Sequence, residues 1–145
     1  VRHIGGRPSS RAQGGARVLT YPGLWPGVGY GYWAIEERAT GRYVGDVGFA
    51  DFRRSLVPSI DGVPELGWAL ASHAHGRGLA TEAVLAVARW GDGHLEAART
   101  VCLIDPANTA SARVAAKCGF RAAGPAVLND AATTVFERQC PSTRA

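Results

Sequence analysis

The segment with the most chemical content is a pair of glycines, Gly76 and Gly78, just ahead of an apolar helix predicted from about Ala80 to Trp90. Without side chains, the two glycines let the backbone curl so that several N–H groups point at one place. The helix adds the unpaired N–H groups of its first turn and the positive end of its dipole. A loop of this kind suits a phosphate or a pyrophosphate. The structural alternative is a helix that simply starts after a glycine-rich loop.

The spacing excludes two common classes of phosphate site. A dinucleotide fingerprint needs a third glycine where Thr81 stands, and a P-loop needs a lysine that this segment lacks. The remaining pattern, His75-Gly76-Arg77-Gly78-Leu79-Ala80, resembles the pyrophosphate loop of the GNAT family of N-acetyltransferases, usually written R/Q-x-x-G-x-G/A. His75 departs from that pattern at its first position. We expect a mild effect, because main-chain amides rather than this side chain would hold the pyrophosphate.

A second segment, Asn108 to Phe120, follows a plain strand over Thr100–Ile104. It reads N-x-x-S-x-R-V-x-x-K-x-G-F and resembles the second GNAT signature, close to the RimJ/RimL-type branch that acetylates ribosomal-protein N-termini. Asn108 is also a good helix N-cap and Gly119 a good residue just past the helix end, which predicts a helix of about three turns. The resemblance implies that the Asn108 amide bonds the pantetheine arm of coenzyme A. The capping role needs no ligand, and the two roles are compatible.

The resemblance runs from about Tyr30 to Arg138 and implies acetyl transfer from acetyl-CoA to a primary amine by direct attack in a ternary complex. It implies that strand Glu65–Leu70 splays away from Thr100–Ile104 and that pantetheine lies in the gap. One N–H of the splayed strand would then polarise the thioester carbonyl. The implied cofactor-binding residues are Ala69, Leu70, His75, Gly76, Arg77, Gly78, Leu79, Ala80 and Asn108.

Two side chains are candidates for the proton transfers of this reaction. An ammonium must lose a proton before it attacks, and Glu65 opens the central strand, where the family branch has an acidic residue. Many GNAT enzymes protonate the leaving thiolate with a tyrosine, but the matching position here is Ala115. Ser111 is the substitute that the RimJ/RimL-type pattern offers. The alternatives are a solvated strand-end carboxylate for Glu65 and, for Ser111, a first-turn serine that bonds the backbone.

The resemblance also implies the fold class: α+β, with a mixed, mostly antiparallel central sheet flanked by helices. We expect one domain over residues 1–145, with a partial helical and loop region over 1–29 and a core over 30–140. The usual first strand is missing from this pattern, because Val1–Gly6 already resembles the first helix region, while Ser10–Leu19 is a candidate short helix. An exposed sheet edge invites pairing between copies, so a homodimer is one expected state. The predicted strands are 32–37, 43–52, 65–70, 100–104, 120–128 and 133–139, with a turn at Asn129-Asp130.

Composition narrows the class of partner and the compartment. The 145 residues carry a net charge of +4, almost all from arginine, but the arginines are scattered and Arg53-Arg54 reads as a solvated turn. We therefore expect no specific nucleic-acid site. No apolar run is long enough to cross a membrane, and the first residues do not resemble a signal peptide. Three cysteines without C-x-x-C spacing argue against disulfides and zinc, so the sequence predicts no metal and a cytoplasmic protein.

Two other classes of function stay open on the residues alone. The missing first strand and the missing tyrosine fit a non-catalytic acyl-CoA-binding module or a truncated, inactive GNAT domain. The glycine loop by itself also fits a nucleotide-binding regulator. Within the enzyme interpretation the acceptor is a small-molecule or peptide amine: a protein N-terminus, an amino acid, a polyamine or an amine antibiotic.

Overall fold

The structure is a computed structural model and describes residues 24–141. Residues 24–28 are helical, and a single turn of 3-10 helix, Ser72–Ala74, precedes the glycine loop. The longer elements that follow are strands and two helices. They are β1 Tyr32–Glu37, β2 Arg42–Ala50, β3 Leu56–Val57, β4 Glu65–Leu70, α1 Leu79–His94, β5 Arg99–Ile104, α2 Thr109–Lys117, β6 Arg121–Leu128 and β7 Ala131–Gln139.

All seven described strands form one sheet in the order β1-β2-β4-β5-β7-β6-β3. Within residues 24–141, β4 and β5 are the one parallel pair, and every other neighbouring pair is antiparallel. The predicted fold class, a mixed and mostly antiparallel α+β sheet with flanking helices, is confirmed. The expected absence of a first strand, the helix over Ser10–Leu19 and the interpretation of Val1–Gly6 all lie outside the described residues.

The core lies on both faces of the sheet. On one face α1 buries Val84, Val87 and Ala88 against Phe49 of β2 and Leu66 of β4, and α2 joins this cluster. On the other face a smaller apolar cluster forms beside the loop between β3 and β4, around Leu56, Val101, Ala126 and Val135. The helices and the loop thus cover opposite sides of the strands that carry the candidate site.

Three local features test the sequence interpretation. The helix predicted to stop near Trp90 runs on to His94, and Gly91 explains the difference. A Cβ on Gly91 would come within 3.0 Å of the Phe49 ring, so this glycine marks close packing rather than a helix end. The predicted turn at Asn129-Asp130 is confirmed, with positive φ at both residues. Between the predicted strands 43–52 and 65–70 the chain also contains the two-residue strand β3, which pairs with β6.

Candidate functional site

The glycine loop connects β4 to α1 and leaves main-chain donors free. Gly76 and Gly78 have φ of +73° and +75°, which ordinary L residues rarely adopt, and a Cβ on either would meet nothing within 4 Å. The glycines are therefore needed for backbone conformation and not for lack of space. Within the described residues, no hydrogen bond uses the N–H groups of Gly76 to Thr81. This is the donor cluster that an anionic group prefers at a helix N-terminus.

Two side chains fix the loop to the sheet. The Nε2 atom of His75 lies 2.9 Å from the carbonyl oxygen of Leu70, which can only accept, so this nitrogen carries the hydrogen. The guanidinium of Arg77 pairs with the carboxylate of Glu37 at the end of β1. That pair lowers the pKa of Glu37, after the larger effect of a hydrogen bond from the Thr40 hydroxyl. Both loop side chains therefore have partners inside the protein.

The strands β4 and β5 meet at one end and diverge. Glu65 opposite Val101 is their one residue pair in register, with an additional bond of 3.1 Å from the Val101 N–H to the Pro64 carbonyl. On its other side β4 pairs with β2 along its whole length, Glu65 to Leu70. The gap implied by the family resemblance is thus present, open toward the glycine loop.

The pairing also fixes which main-chain groups of β4 face the gap. The Pro64 carbonyl points to β5, whereas the Ala71 N–H donates to Val44 beside β2 at 2.8 Å. Because a strand turns successive residues to alternate neighbours, Trp68 and Leu70 direct their N–H and C=O groups toward the gap. Ala69, opposite Asp46, directs its own groups toward β2. The family resemblance places the main chain of both Ala69 and Leu70 at pantetheine. The main-chain groups of Leu70 do face the gap, whereas those of Ala69 bond β2 instead.

The second signature spans α2, which follows β5 and begins on the β5 side of the gap. The Asn108 side-chain oxygen accepts a 3.0 Å hydrogen bond from the Ser111 N–H, which confirms the predicted N-cap. Gly119, with φ of +88°, lies just past the helix as predicted. The cap uses the oxygen of the Asn108 amide and leaves its two N–H donors available. Ala115, where many GNAT enzymes have the tyrosine, is fully buried.

Glu65 is not the solvated carboxylate of the alternative interpretation, because it is only 8% exposed. Burial raises its pKa above the ordinary 4.5, while the Arg54 guanidinium, which bonds Oε1, opposes that rise. Side chains alternate along a strand, and Leu66 and Trp68 pack toward α1. Glu65 therefore faces the opposite side of the sheet, in a shallow pocket beside Leu103.

The geometry separates two functions along one strand. Glu65 begins β4 where the strands meet, and the glycine loop follows Leu70, five residues later, or about 17 Å along an extended strand. An extended molecule with an anionic group at one end fits between these points. The structure brings Asn108 and Ser111 into direct contact, and likewise His75 and Leu70, whereas Glu65 contacts neither pair directly.

One residue of this site was missed by sequence reasoning. The sequence predicts that Arg54, like Arg53, belongs to a solvated turn. That holds for the Arg53 side chain, which is 73% exposed, but Arg54 reaches back to the buried Glu65. The partners are eleven residues apart in an irregular segment, and no periodicity signals such a contact.

Two features of other protein classes are absent from residues 24–141. No helix in that range is long and apolar enough to cross a membrane. No group of three or more His, Cys, Asp or Glu side chains there is arranged to hold a metal ion.

Comparisons with known proteins agree on one family. The model of the acetyltransferase (GNAT) domain matches residues 1–121, further upstream than the residues that carry the sequence resemblance. A solved structure of a GNAT-family protein from Bordetella pertussis is 33% identical, with a TM-score of 0.83 over 93% of this chain and 81% of that one. At 19% identity, the aminoglycoside acetyltransferase AAC(6')-Ib, solved with paromomycin and acetyl-CoA, shares the fold, with a TM-score of 0.76 over 100% of this chain and 85% of its own.

A curated relative is the uncharacterized protein YkkB of Bacillus subtilis, 35% identical over 97 residues. The match covers 65% of this chain and 52% of YkkB, so the chain spans about half the length of that relative.

Proposed function

This chain belongs to the acetyltransferase (GNAT) domain family, and we propose that it transfers an acetyl group from acetyl-CoA to a primary amine. The observation that carries the proposal is the gap between β4 and β5, with free N–H groups at one end and a buried carboxyl at the other. A solved relative with the same fold holds acetyl-CoA together with an aminoglycoside.

In the proposed complex the main-chain donors from Gly76 to Thr81 bind the diphosphate of coenzyme A, and the pantetheine arm lies along β4. The N–H and C=O groups of Trp68 and the N–H of Leu70 bond that arm as an added strand would. The Asn108 amide donates its free N–H groups from the β5 side. The loop side chains His75 and Arg77 act indirectly, because their bonds to Leu70 and Glu37 hold the loop in place.

The proton transfers are assigned to Glu65 and Ser111. Glu65 takes one proton from the acceptor ammonium and passes it to solvent, and the neutral nitrogen attacks the thioester carbonyl carbon. A main-chain N–H of the splayed strand stabilises the developing oxyanion, a contribution of about 3 kcal/mol to lowering the barrier in enzymes where it has been measured. The new C–N bond forms, the C–S bond breaks, and the second nitrogen proton goes to the thiolate while the Ser111 hydroxyl donates a hydrogen bond to the sulfur.

The test is release of free thiol from acetyl-CoA with peptides and small amines, for the wild type and the variants Glu65→Gln and Ser111→Ala. We expect both variants to bind coenzyme A like the wild type, with Glu65→Gln losing about 100-fold or more in kcat, the usual contribution of a general base. Unchanged rates in both variants would remove these two assignments and leave the cofactor site standing.

Two other functions remain candidates, and each predicts a different experimental result from this enzyme. A non-catalytic acyl-CoA-binding module binds coenzyme A and releases no thiol with any amine. A nucleotide-binding regulator is stabilised against heat by ATP or NAD as well, whereas the proposed enzyme is stabilised by coenzyme A alone.

The finer assignments stay proposals. The second signature favours an acceptor like that of the RimJ/RimL-type branch, a protein N-terminus, over a small-molecule amine, and the peptide arm of the assay separates the two. A reducing compartment such as the cytoplasm is supported by the three free cysteines. We also propose that the protein forms a homodimer, which sedimentation analysis would test by measuring the mass of the particle in solution.

A further inference from the structure

The pocket that contains Glu65 already holds a cation of this chain. The Arg54 guanidinium bonds the Glu65 carboxylate, and its central carbon lies 4.8 Å from the centre of the Phe52 ring. Asp51, Asp61 and Leu103 line the same pocket. The guanidinium therefore sits between a buried carboxylate and an aromatic face, the two groups that bind organic cations in proteins.

An amine that gives its proton to Glu65 must come within hydrogen-bond distance of this carboxylate. Arginine is always protonated, so Arg54 cannot itself be the group that Glu65 deprotonates. The guanidinium holds Oε1 and lies over the Phe52 ring, so an amine that binds between these two groups displaces it. What replaces it meets the same carboxylate and the same ring, and those partners favour a positive charge.

From these contacts we infer that Arg54 occupies the ammonium subsite of the acceptor, and that the acceptor is a cationic amine that displaces it. The inference rests on the proposed function and names its substrate class. Phe52 and Glu65 then hold the acceptor ammonium as they now hold the guanidinium.

The surroundings allow this exchange to be local. The Arg54 side chain is 35% exposed, so the guanidinium reaches solvent by rotation of its own side chain. Its main chain is held, because the Leu56 N–H donates to the Arg54 carbonyl at 2.8 Å. The Asp51 carboxylate is fixed separately, by the Gly62 N–H at 3.3 Å and the Arg53 guanidinium at 3.4 Å. It remains in the pocket as a negative charge when Arg54 moves.

The protonation of Glu65 follows the same exchange. The charged groups that face Glu65 are Arg54 and Asp51 from the segment after β2 and Asp61 from the loop before β4, whereas the Cys102 thiol of β5 belongs to the cluster on the other face of the sheet. Arg54 lowers the pKa of Glu65, and Asp51 raises it. Departure of the guanidinium therefore raises the pKa of the carboxyl, which makes it a stronger base toward the incoming ammonium.

The experiment compares steady-state kinetics of the wild type with Arg54→Met, Arg54→Lys and the matched control Arg53→Met, whose arginine pairs with Asp51 instead. Arg54→Met removes the competing cation. We expect KM for cationic amines to fall about fivefold, the equivalent of about 1 kcal/mol and the upper range for a partly exposed ion pair. The acidic limb of the pH profile should move to higher pH, while kcat at high pH stays close to that of the wild type.

The other variants and an added ion complete the test. Arg54→Lys should behave like the wild type, and Arg53→Met should leave KM for the amine unchanged. Ethylguanidinium should compete with the amine in Arg54→Met and inhibit the wild type more weakly. A raised or unchanged KM in Arg54→Met, with a circular dichroism spectrum like that of the wild type, would overturn the inference. So would an unmoved acidic limb.

Failure of the proposed function itself is distinguishable. If the wild type releases no thiol with any amine, the enzyme interpretation fails, and calorimetry still tests the subsite. Tighter binding of ethylguanidinium to Arg54→Met than to the wild type supports it, and equal binding refutes it. Should Arg54→Met not fold, Arg54→Gln takes its place in each measurement.

Discussion

Gly78 allows the proposed diphosphate site to be tested without touching any side chain that does chemistry. Its φ of +75° costs a residue with a Cβ about 1–2 kcal/mol, and a Cβ there would clash with nothing. Alanine at this position therefore introduces backbone strain alone. Because residues 75–78 are exposed, we expect the main chain between the anchoring side chains of the loop to relax, which turns the N–H groups away from their common point.

The magnitude follows from that strain. A loop that relaxes must recover its strained shape when it binds, so the 1–2 kcal/mol appears in affinity, as a rise of about 5- to 30-fold in the Kd of coenzyme A. Free pantetheine, which has no diphosphate, should bind to Gly78→Ala as it does to the wild type. Calorimetry with both ligands measures the difference. The stabilisation of the fold by saturating coenzyme A should fall by the same 1–2 kcal/mol.

Gly29→Ala is the matched control. Gly29 has φ of +78°, and a Cβ there also meets nothing within 4 Å, but the residue lies before β1 and away from the loop. It should lower the free energy of unfolding by about 1–2 kcal/mol and leave the Kd of coenzyme A unchanged. An unchanged Kd in Gly78→Ala, or an equal loss of affinity in Gly29→Ala, would refute the reasoning.

Three further predictions concern Asn108, Glu65 and Thr100. Asn108→Asp keeps an oxygen for the helix cap but has no N–H donors, so it should unfold like the wild type and bind coenzyme A more weakly; equal binding would leave Asn108 with the cap alone. Burial raises the pKa of Glu65 above 4.5, so the native state binds more protons than the unfolded state just above that pH. Wild-type stability should fall as pH rises through this window; urea titrations should find that Glu65→Gln lacks the decline, and an identical decline would contradict the assignment. Among residues 24–141 the buried hydroxyl of Thr100 has no hydrogen-bond partner, whereas that of Thr133 donates to the Ile104 carbonyl at 3.2 Å. Thr100→Val should therefore stabilise the fold by about 1 kcal/mol and Thr133→Val destabilise it by a similar amount, and changes of the same sign in urea unfolding would rule this out.

The features that the sequence predicted are those set by neighbours along the chain. The strand over 32–37 has the predicted bounds, because its flanks are a loop and a tight turn. Asn129 and Asp130 tolerate positive φ through their short polar side chains, and the turn is where those residues place it. The cap at Asn108 likewise needs a partner only three residues away. A turn or a helix cap is determined by residues a few positions apart, so a short stretch of sequence is enough to predict it.

The features that it missed depend on contacts across the fold. Arg77 pairs with Glu37, forty residues away, and Arg54 with Glu65 across an irregular loop. Charged residues in a sequence do not show which opposite charge they will meet once the sheet has formed. The prolonged α1 has the same origin, because only the packed Phe49 ring makes Gly91 a close-packing residue.

The single rung between β4 and β5 divides the sheet into two panels, β1-β2-β4 and β5-β7-β6-β3, which share one residue pair along their seam. Elsewhere the panels are held together through the helices on one face and the loop on the other. A molecule that filled the gap and formed hydrogen bonds with both β4 and β5 would connect the two panels, so that the hydrogen-bond network would run across the whole sheet. Amide hydrogen exchange in the outer strands, far from any bound atom, should then slow in both panels together. The ligand would thus stabilise the whole sheet and not only the residues that it contacts.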